Sequence, residues 1–122
     1  MLSHIFSALT ERLSRLPWPL YLQDCVPEGA AFPYATAEIA APLTPGAEGS
    51  LALTVWTKGS AAHSERIAQA ELLHQYLPLR GAWLAALTGS IILVEDGPVR
   101  CVQDGPLLGV ESRWTLHFFP SV

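Results

Sequence analysis

Residues 110–120 read VESRWTLHFFP. Val110, Ser112, Trp114, Leu116 and Phe118 fall on one side of an extended chain, and Glu111, Arg113, Thr115, His117 and Phe119 on the other. Side chains alternate faces along a strand, so this is the pattern of a sheet with one side on a core and the other partly wet. Pro120 cannot donate to a ladder and marks the end of pairing. The rest of the chain reads as material that pairs with this strand or packs onto its apolar side.

Moving upstream, residues 104–109 (DGPLLG) turn into the final strand, residues 99–103 (VRCVQ) pair back, and Asp96-Gly97-Pro98 is a turn. Residues 90–95 (SIILVE) read as a buried strand. Residues 79–88 are the least legible part, and closely flanking Gly81 and Gly89 favour a strand or irregular segment there. Residues 61–77 lack Gly and Pro and predict a helix, capped by Ser60 and ended by Pro78. Ala68, Leu72, Leu73, Tyr76 and Leu77 form its apolar face, with Ser64, Glu71 and Gln75 opposite. Residues 51–58 (LALTVWTK) and 34–41 (YATAEIAA) make a hairpin, with the Pro- and Gly-rich residues 42–50 as a long mobile tip. Residues 26–33 are a loop and residues 20–23 a short strand. Leu2, Ile5, Phe6, Leu9, Leu13 and Leu16 recur at helical steps, which predicts a helix over residues 3–15, stopped by Pro17 and Pro19. The expected fold is a single α+β domain over residues 1–122: a mostly antiparallel sheet with two helices packed on one face.

Bulk properties narrow the function. A chain of 122 residues can bury a usable core without disulfides or metals. Half of it is hydrophobic and only 15% is charged, which fits a compact core or a surface covered by partner subunits. The net charge of −4, with scattered Lys and Arg, argues against tight direct binding of nucleic acid. Cys25 and Cys101 lie far apart and read as ordinary buried thiols in a reducing compartment, with a single disulfide left open. Glu11, Arg12 and Arg15 interrupt the N-terminal apolar positions, so neither a signal peptide nor a membrane span is expected there.

Chemistry finds little to stand on. His4, His63, His74 and His117 form no pair at metal-ligand spacing, and no nucleophile or phosphate-binding motif occurs. Glu95, Asp96 and Asp104 can in principle share a hard cation, but Asp-Gly-Pro is first of all turn chemistry. No catalytic residue, cofactor or metal is expected. Ample apolar and aromatic material, few charges and long loops suit a protein that works through its interfaces. The positions expected in an interface are Glu28 and Phe32 in the first loop, Tyr34 beside it, Glu48 in the hairpin tip, and Arg113 and His117 on the polar face of the last strand.

Four places in order carry a resemblance: Pro17-Trp18-Pro19-Leu20-Tyr21, Phe32-Pro33-Tyr34, Val55-Trp56-Thr57 running into a helix with Ser64-Glu65-Arg66, and Arg113-Trp114-Thr115-Leu116-His117-Phe118-Phe119-Pro120. In order, spacing and total length the chain resembles the tail-completion proteins of long-tailed bacteriophages, of the tail terminator type. The resemblance implies an α+β subunit that forms a homohexameric ring on the completed tail tube, stops its polymerisation and joins it to the head. Its implied partners are further copies of itself, the tail tube protein and a head-tail connector or stopper, with DNA only passing through the lumen and no membrane. Its implied place is the virion, reached by assembly in the host cytoplasm. Two other readings fit the same length: a head-side connector or stopper, and a small α+β ligand-binding domain or enzyme subunit using the Arg113–His117 face.

Overall fold

The computed structural model describes residues 2–42, 44–58 and 63–121. Helix α1 (Leu2–Arg12) leads to strand β1 (Leu20–Leu22) and a 3-10 turn (Gln23–Cys25). Strands β2 (Tyr34–Ala40) and β3 (Glu48–Lys58) form a hairpin and are followed by helix α2 (His63–Tyr76). Strands β4 (Gly81–Ala86), β5 (Gly89–Glu95), β6 (Arg100–Asp104) and β7 (Leu107–Pro120) follow. The fold is α+β. The seven described strands form one sheet in the order β1-β2-β3-β7-β5-β4, with β6 also paired to β7. Only β1 and β2 run parallel; the other pairs are antiparallel.

The stretch quoted first is the axis of this sheet. On one side β3 pairs with β7 from Lys58↔Leu107 to Glu48↔His117. The other side is shared: β5 takes the far half, from Glu95↔Trp114 to Gly89↔Pro120, and β6 the near half, from Asp104↔Leu107 to Arg100↔Glu111. Strand β6 therefore does not pair back onto β5, as the sequence led us to expect. Both run antiparallel to β7, so they point the same way. The Asp96 N–H still donates to Arg113 O (3.2 Å) before the chain rejoins β7 at Arg100. Asp96-Gly97-Pro98 is thus a bulge in one interrupted strand rather than a reversal: Gly97 takes φ +80° and Pro98 has no N–H for the ladder. The true hairpin turn is Gly105-Pro106, with Gly105 at φ +59° in the first central position.

One face of the sheet meets both helices. Val110, Ser112, Trp114, Leu116 and Phe118 are all buried, as their alternation predicts. Cross-strand pairs extend that row: Leu51 lies opposite Trp114, Leu53 opposite Ser112, Leu93 opposite Leu116 and Ile91 opposite Phe118. Ile5 and Leu9 of α1, with Leu73 of α2 and Leu77 just past its end, close over these side chains in one apolar cluster. Trp114 is 0% exposed, and its indole N–H donates to Pro78 O (3.2 Å). A buried indole needs such a partner.

Several boundaries differ from expectation. Helix α1 stops at Arg12, short of residue 15. Past it, Ser14 and Leu16 donate to Glu11 and Leu13, three residues back, tightening the chain so that Leu13, Leu16 and Trp18 all turn inward. Strand β1 ends at Leu22, where Gln23 enters the 3-10 turn. On α2 the buried face is Arg66, Ala70 and Leu73, while Ala68 is exposed. Its long stem lets an arginine occupy an apolar stripe. The expected Ser60 cap and residues 61 and 62 lie outside the described residues. Strand β3 begins three residues early, at Glu48, so the tip is shorter than residues 42–50. It is also fastened: Gly46 N–H donates to Phe118 O (3.1 Å) and Ala47 N–H to Thr44 O (3.0 Å). The least legible segment is strand β4. Strand β5 buries Ile91 and Leu93 but exposes Ile92 and Val94, so it is covered on one face rather than two. Cys25 and Cys101 are both free and both exposed, not buried. No described helix is long and apolar enough to cross a membrane.

Candidate interaction surface

With the helices on one side, the opposite face of the sheet lies open over β4, β5 and the far half of β7, while over β2 and β3 it is largely closed, with Tyr34, Thr36, Ala52 and Thr54 buried. Register fixes what it shows. One row runs Glu48, His117, Ile92, Trp83 across β3, β7, β5 and β4. Thr115 and Val94 stand opposite each other in the next row on one side, and Phe119 and Ser90 in the row on the other. The result is an apolar zone in which Trp83 is 59% exposed, Val94 47%, Phe119 44% and Ile92 38%. The His117 ring stacks on Phe119 (centroids 6.5 Å apart, planes at 20°). Scattered apolar residues are ordinary on a protein surface, but a contiguous set on one sheet face marks a contact area.

Toward β6 and β2 the same face becomes polar. Arg100, Glu111, Thr54, Thr36 and Tyr21 form one row across β6, β7, β3, β2 and β1. Glu111 Oε1 accepts from Arg100 Nε (2.9 Å) and Arg113 Nε (2.8 Å). Burial pushes the Glu111 carboxyl up, but the hydrogen bonds from Arg113 and Arg100 outweigh it and hold the group below its ordinary value. The same bond and charge raise the Arg113 guanidinium, with smaller contributions from Glu38 and Asp96. Beside this trio lies a cleft of about 210 Å³. Gln23 and Trp56 stand on its walls with Val102 and Asp104, Glu38 and Glu111 contribute carboxylates, and Thr36, Ala52 and Thr54 make its floor. The Trp56 indole N–H donates to the Thr36 hydroxyl (2.9 Å), which fixes the ring. Gly109 allows this packing, since a Cβ there would meet Thr54 Cγ2 at 2.7 Å and the Trp56 ring at 2.9 Å.

The expected interface residues divide. Glu48, Arg113 and His117 all lie on the open face, the last two in β7 and Glu48 directly opposite His117. Tyr34 is buried, 5.8 Å from the Tyr21 ring and 5.1 Å from Phe32. Burial raises its phenol, helped by the charge of Asp104 and by Tyr21. Phe32 is half-buried against it, and Glu28 is exposed in the loop without a described partner. The structure therefore brings together the strand positions and leaves the loop position Glu28 apart. Trp83, Ile92 and Val94 escaped the sequence reading as surface residues, whereas Phe119 stood on the expected wet side of the last strand. Ile92 and Val94 carry a signal only if the run SIILVE is read as alternating. Among the described residues, no cluster of His, Cys, Asp and Glu is arranged to hold a metal ion, so Glu95, Asp96 and Asp104 form no such site.

Neither protein-family models nor curated proteins give a match to the chain. Solved structures do. One superposes with a TM-score of 0.66 at 15% identity, over 100% of this chain and 98% of its own. Another is a chain from the virion of a native gene transfer agent particle, with a TM-score of 0.62 at 16% identity over 97% of this chain and 93% of its own. The same fold, over nearly the full length of each chain, is common to them.

Proposed function

We propose that this chain is a structural subunit of a phage-type particle, and within it the ring that ends the tail tube. The observation that carries the reading is the end-to-end fold likeness to a chain of a gene transfer agent virion. The tail-terminator reading within that class rests on the motif order from Pro17 to Pro120. The open sheet face supports it physically. A ring subunit makes heterologous contacts that close after a fixed rotation, and it needs surface to give to its neighbours, the tube and the head. Trp83, Ile92, Val94 and Phe119 offer apolar surface for such contacts. Its partners in this reading are further copies of the chain in a hexamer, the tail tube protein and the head-side connector or stopper; DNA only passes through. Its place is the neck of the virion, and no catalysis or cofactor is part of its work.

The test is to delete the gene from its parent phage or prophage and image the lysate by negative-stain electron microscopy. Overlong tails separate from filled heads are the expected result. Tails of normal length beside emptied or unjoined heads move the chain to the head side of the neck, as a stopper. Normal infectious particles end the structural reading.

A further inference from the structure

Arg66 is buried without an acid beside it. It is 8% exposed and lies on the inner face of α2 with Ala70 and Leu73. Neither ion pair among the described residues includes it. Glu65 and Glu71, the acids of α2, are exposed and leave it unpaired. Side chains three and four positions along a helix are the ones within its reach. Those ahead of it are Gln69 and Ala70, and Gln69 Oε1 already accepts from Trp18 Nε1 (2.8 Å). Among the described residues Arg66 has one side-chain partner: its Nη2 group donates to His63 Nδ1. Its Nε is buried and has no partner. A buried donor left unmade is costly, and more so on a charged group.

The two groups belong together. Nε–H and Nη2–H leave the planar guanidinium from the same edge, the one that grips a carboxylate or a phosphate with two parallel hydrogen bonds. The His63 ring gives that edge one acceptor atom where two fit. The place adds to the argument. His63 is the first residue of α2 as described, so the guanidinium is turned back toward the start of a 14-residue helix. That end of a helix carries partial positive charge, which repels a cation and attracts an anion. His63 itself is exposed, so its ring can turn out into solvent. We propose that Arg66 and the first turn of α2 form a binding site for an oxyanion, a carboxylate or a phosphate group. The anion displaces the His63 ring and accepts from both Nε–H and Nη2–H. The site stands on these residues alone and does not depend on the tail reading.

Nuclear magnetic resonance of the isotope-labelled full chain tests the site. Sodium acetate and sodium phosphate are titrated separately, with ionic strength held constant by chloride. The Arg66 Nε–H signal and the backbone amide signals of Ser64 and Glu65 are followed. The expected result is that all three shift on one saturating curve, with a Kd of about 10 mM or tighter. Saturation by acetate alone marks a carboxylate site, and saturation by phosphate alone a phosphate site. His63→Ala removes the competing acceptor and tightens binding about threefold or more. Arg66→Lys keeps the charge but loses the paired donors, and weakens binding about tenfold or more on the amide signals. The amide spectrum shows whether each variant is folded, and His63→Ala alters only an exposed residue. An Nε–H signal unmoved by either anion up to about 100 mM overturns the site. So does undiminished affinity in Arg66→Lys, or His63→Ala that binds no tighter than wild type.

Discussion

His74 shows how one side chain ties a helix to the sheet. Its Nδ1–H donates to Leu77 O (3.1 Å), so Nε2 accepts from the hydroxyl of buried Ser112 (2.8 Å), and its ring lies 5.9 Å from Trp114. In this arrangement the imidazole is neutral; in the charged form the Ser112 hydroxyl would turn and accept from Nε2–H instead. Burial lowers the His74 pKa, only partly countered by the bond to Leu77. The sign follows from linkage. On acidification the unfolded chain takes up the proton first, near the ordinary histidine value, and the folded chain only at lower pH. Stability is therefore complete above about pH 7 and falls as pH drops through about 6.5 and below. In urea titrations at a series of pH values, His74→Gln is expected to flatten that part of the profile relative to wild type. Trp114 is the second residue on which the fold depends. Trp114→Ala removes the largest fully buried side chain and one of the two hydrogen bonds to Pro78 O, the other coming from Gly81 N–H, and is expected to cost about 3–5 kcal/mol in the same titrations.

At the scale of elements, edges decide the arrangement. Strand β4 ends the sheet, and its outward carbonyl at Trp83 accepts from Arg12 Nη2 (2.7 Å), while Nη1 of the same side chain reaches Tyr76 O (3.3 Å). A charged side chain on an exposed edge discourages pairing with another chain. Arg12→Met is expected to cost about 1 kcal/mol in a urea titration and to raise light scattering on prolonged incubation. Gly81 opens the same strand at φ +143°, where a Cβ would run into Leu93 O, so Gly81→Ala is expected to destabilise by about 1–3 kcal/mol. These elements were unequally legible in the sequence. The alternation from Val110 to Phe118 located the core face directly, because a period of two admits one interpretation. The partner of β6 was not legible: Asp-Gly-Pro breaks a ladder equally in a reversal and in a bulge, and only the length of β7 decides between them. The open face was half legible. Arg113 and His117 stood out as polar members of an apolar strand, whereas Trp83 lay in a segment whose periodicity is obscured by its small residues.

For the whole molecule, the uneven dressing of the sheet is the main property. One face is sealed by two helices, and the other carries an apolar zone beside a charged cleft. The double change Trp83→Ser with Ile92→Ser should leave folding stability within about 0.5 kcal/mol, since both side chains are exposed. It should lower binding of a hydrophobic dye and, on the function proposed above, reproduce the tail defect of the gene deletion. A dye signal equal to wild type would remove the apolar zone as a contact area. The central place of β7 also bears on how the protein is made. Every strand that β7 joins precedes it in the chain. During synthesis, the β1–β3 unit and the β4–β5 hairpin emerge with one open edge each, waiting for the segment that bridges them. Such long-range pairing is slow, and unpaired edges invite the wrong neighbour. On a polysome the nascent chains are therefore most exposed to one another just before residues 107–120 leave the ribosome, and a chaperone that shields strand edges would act on that interval.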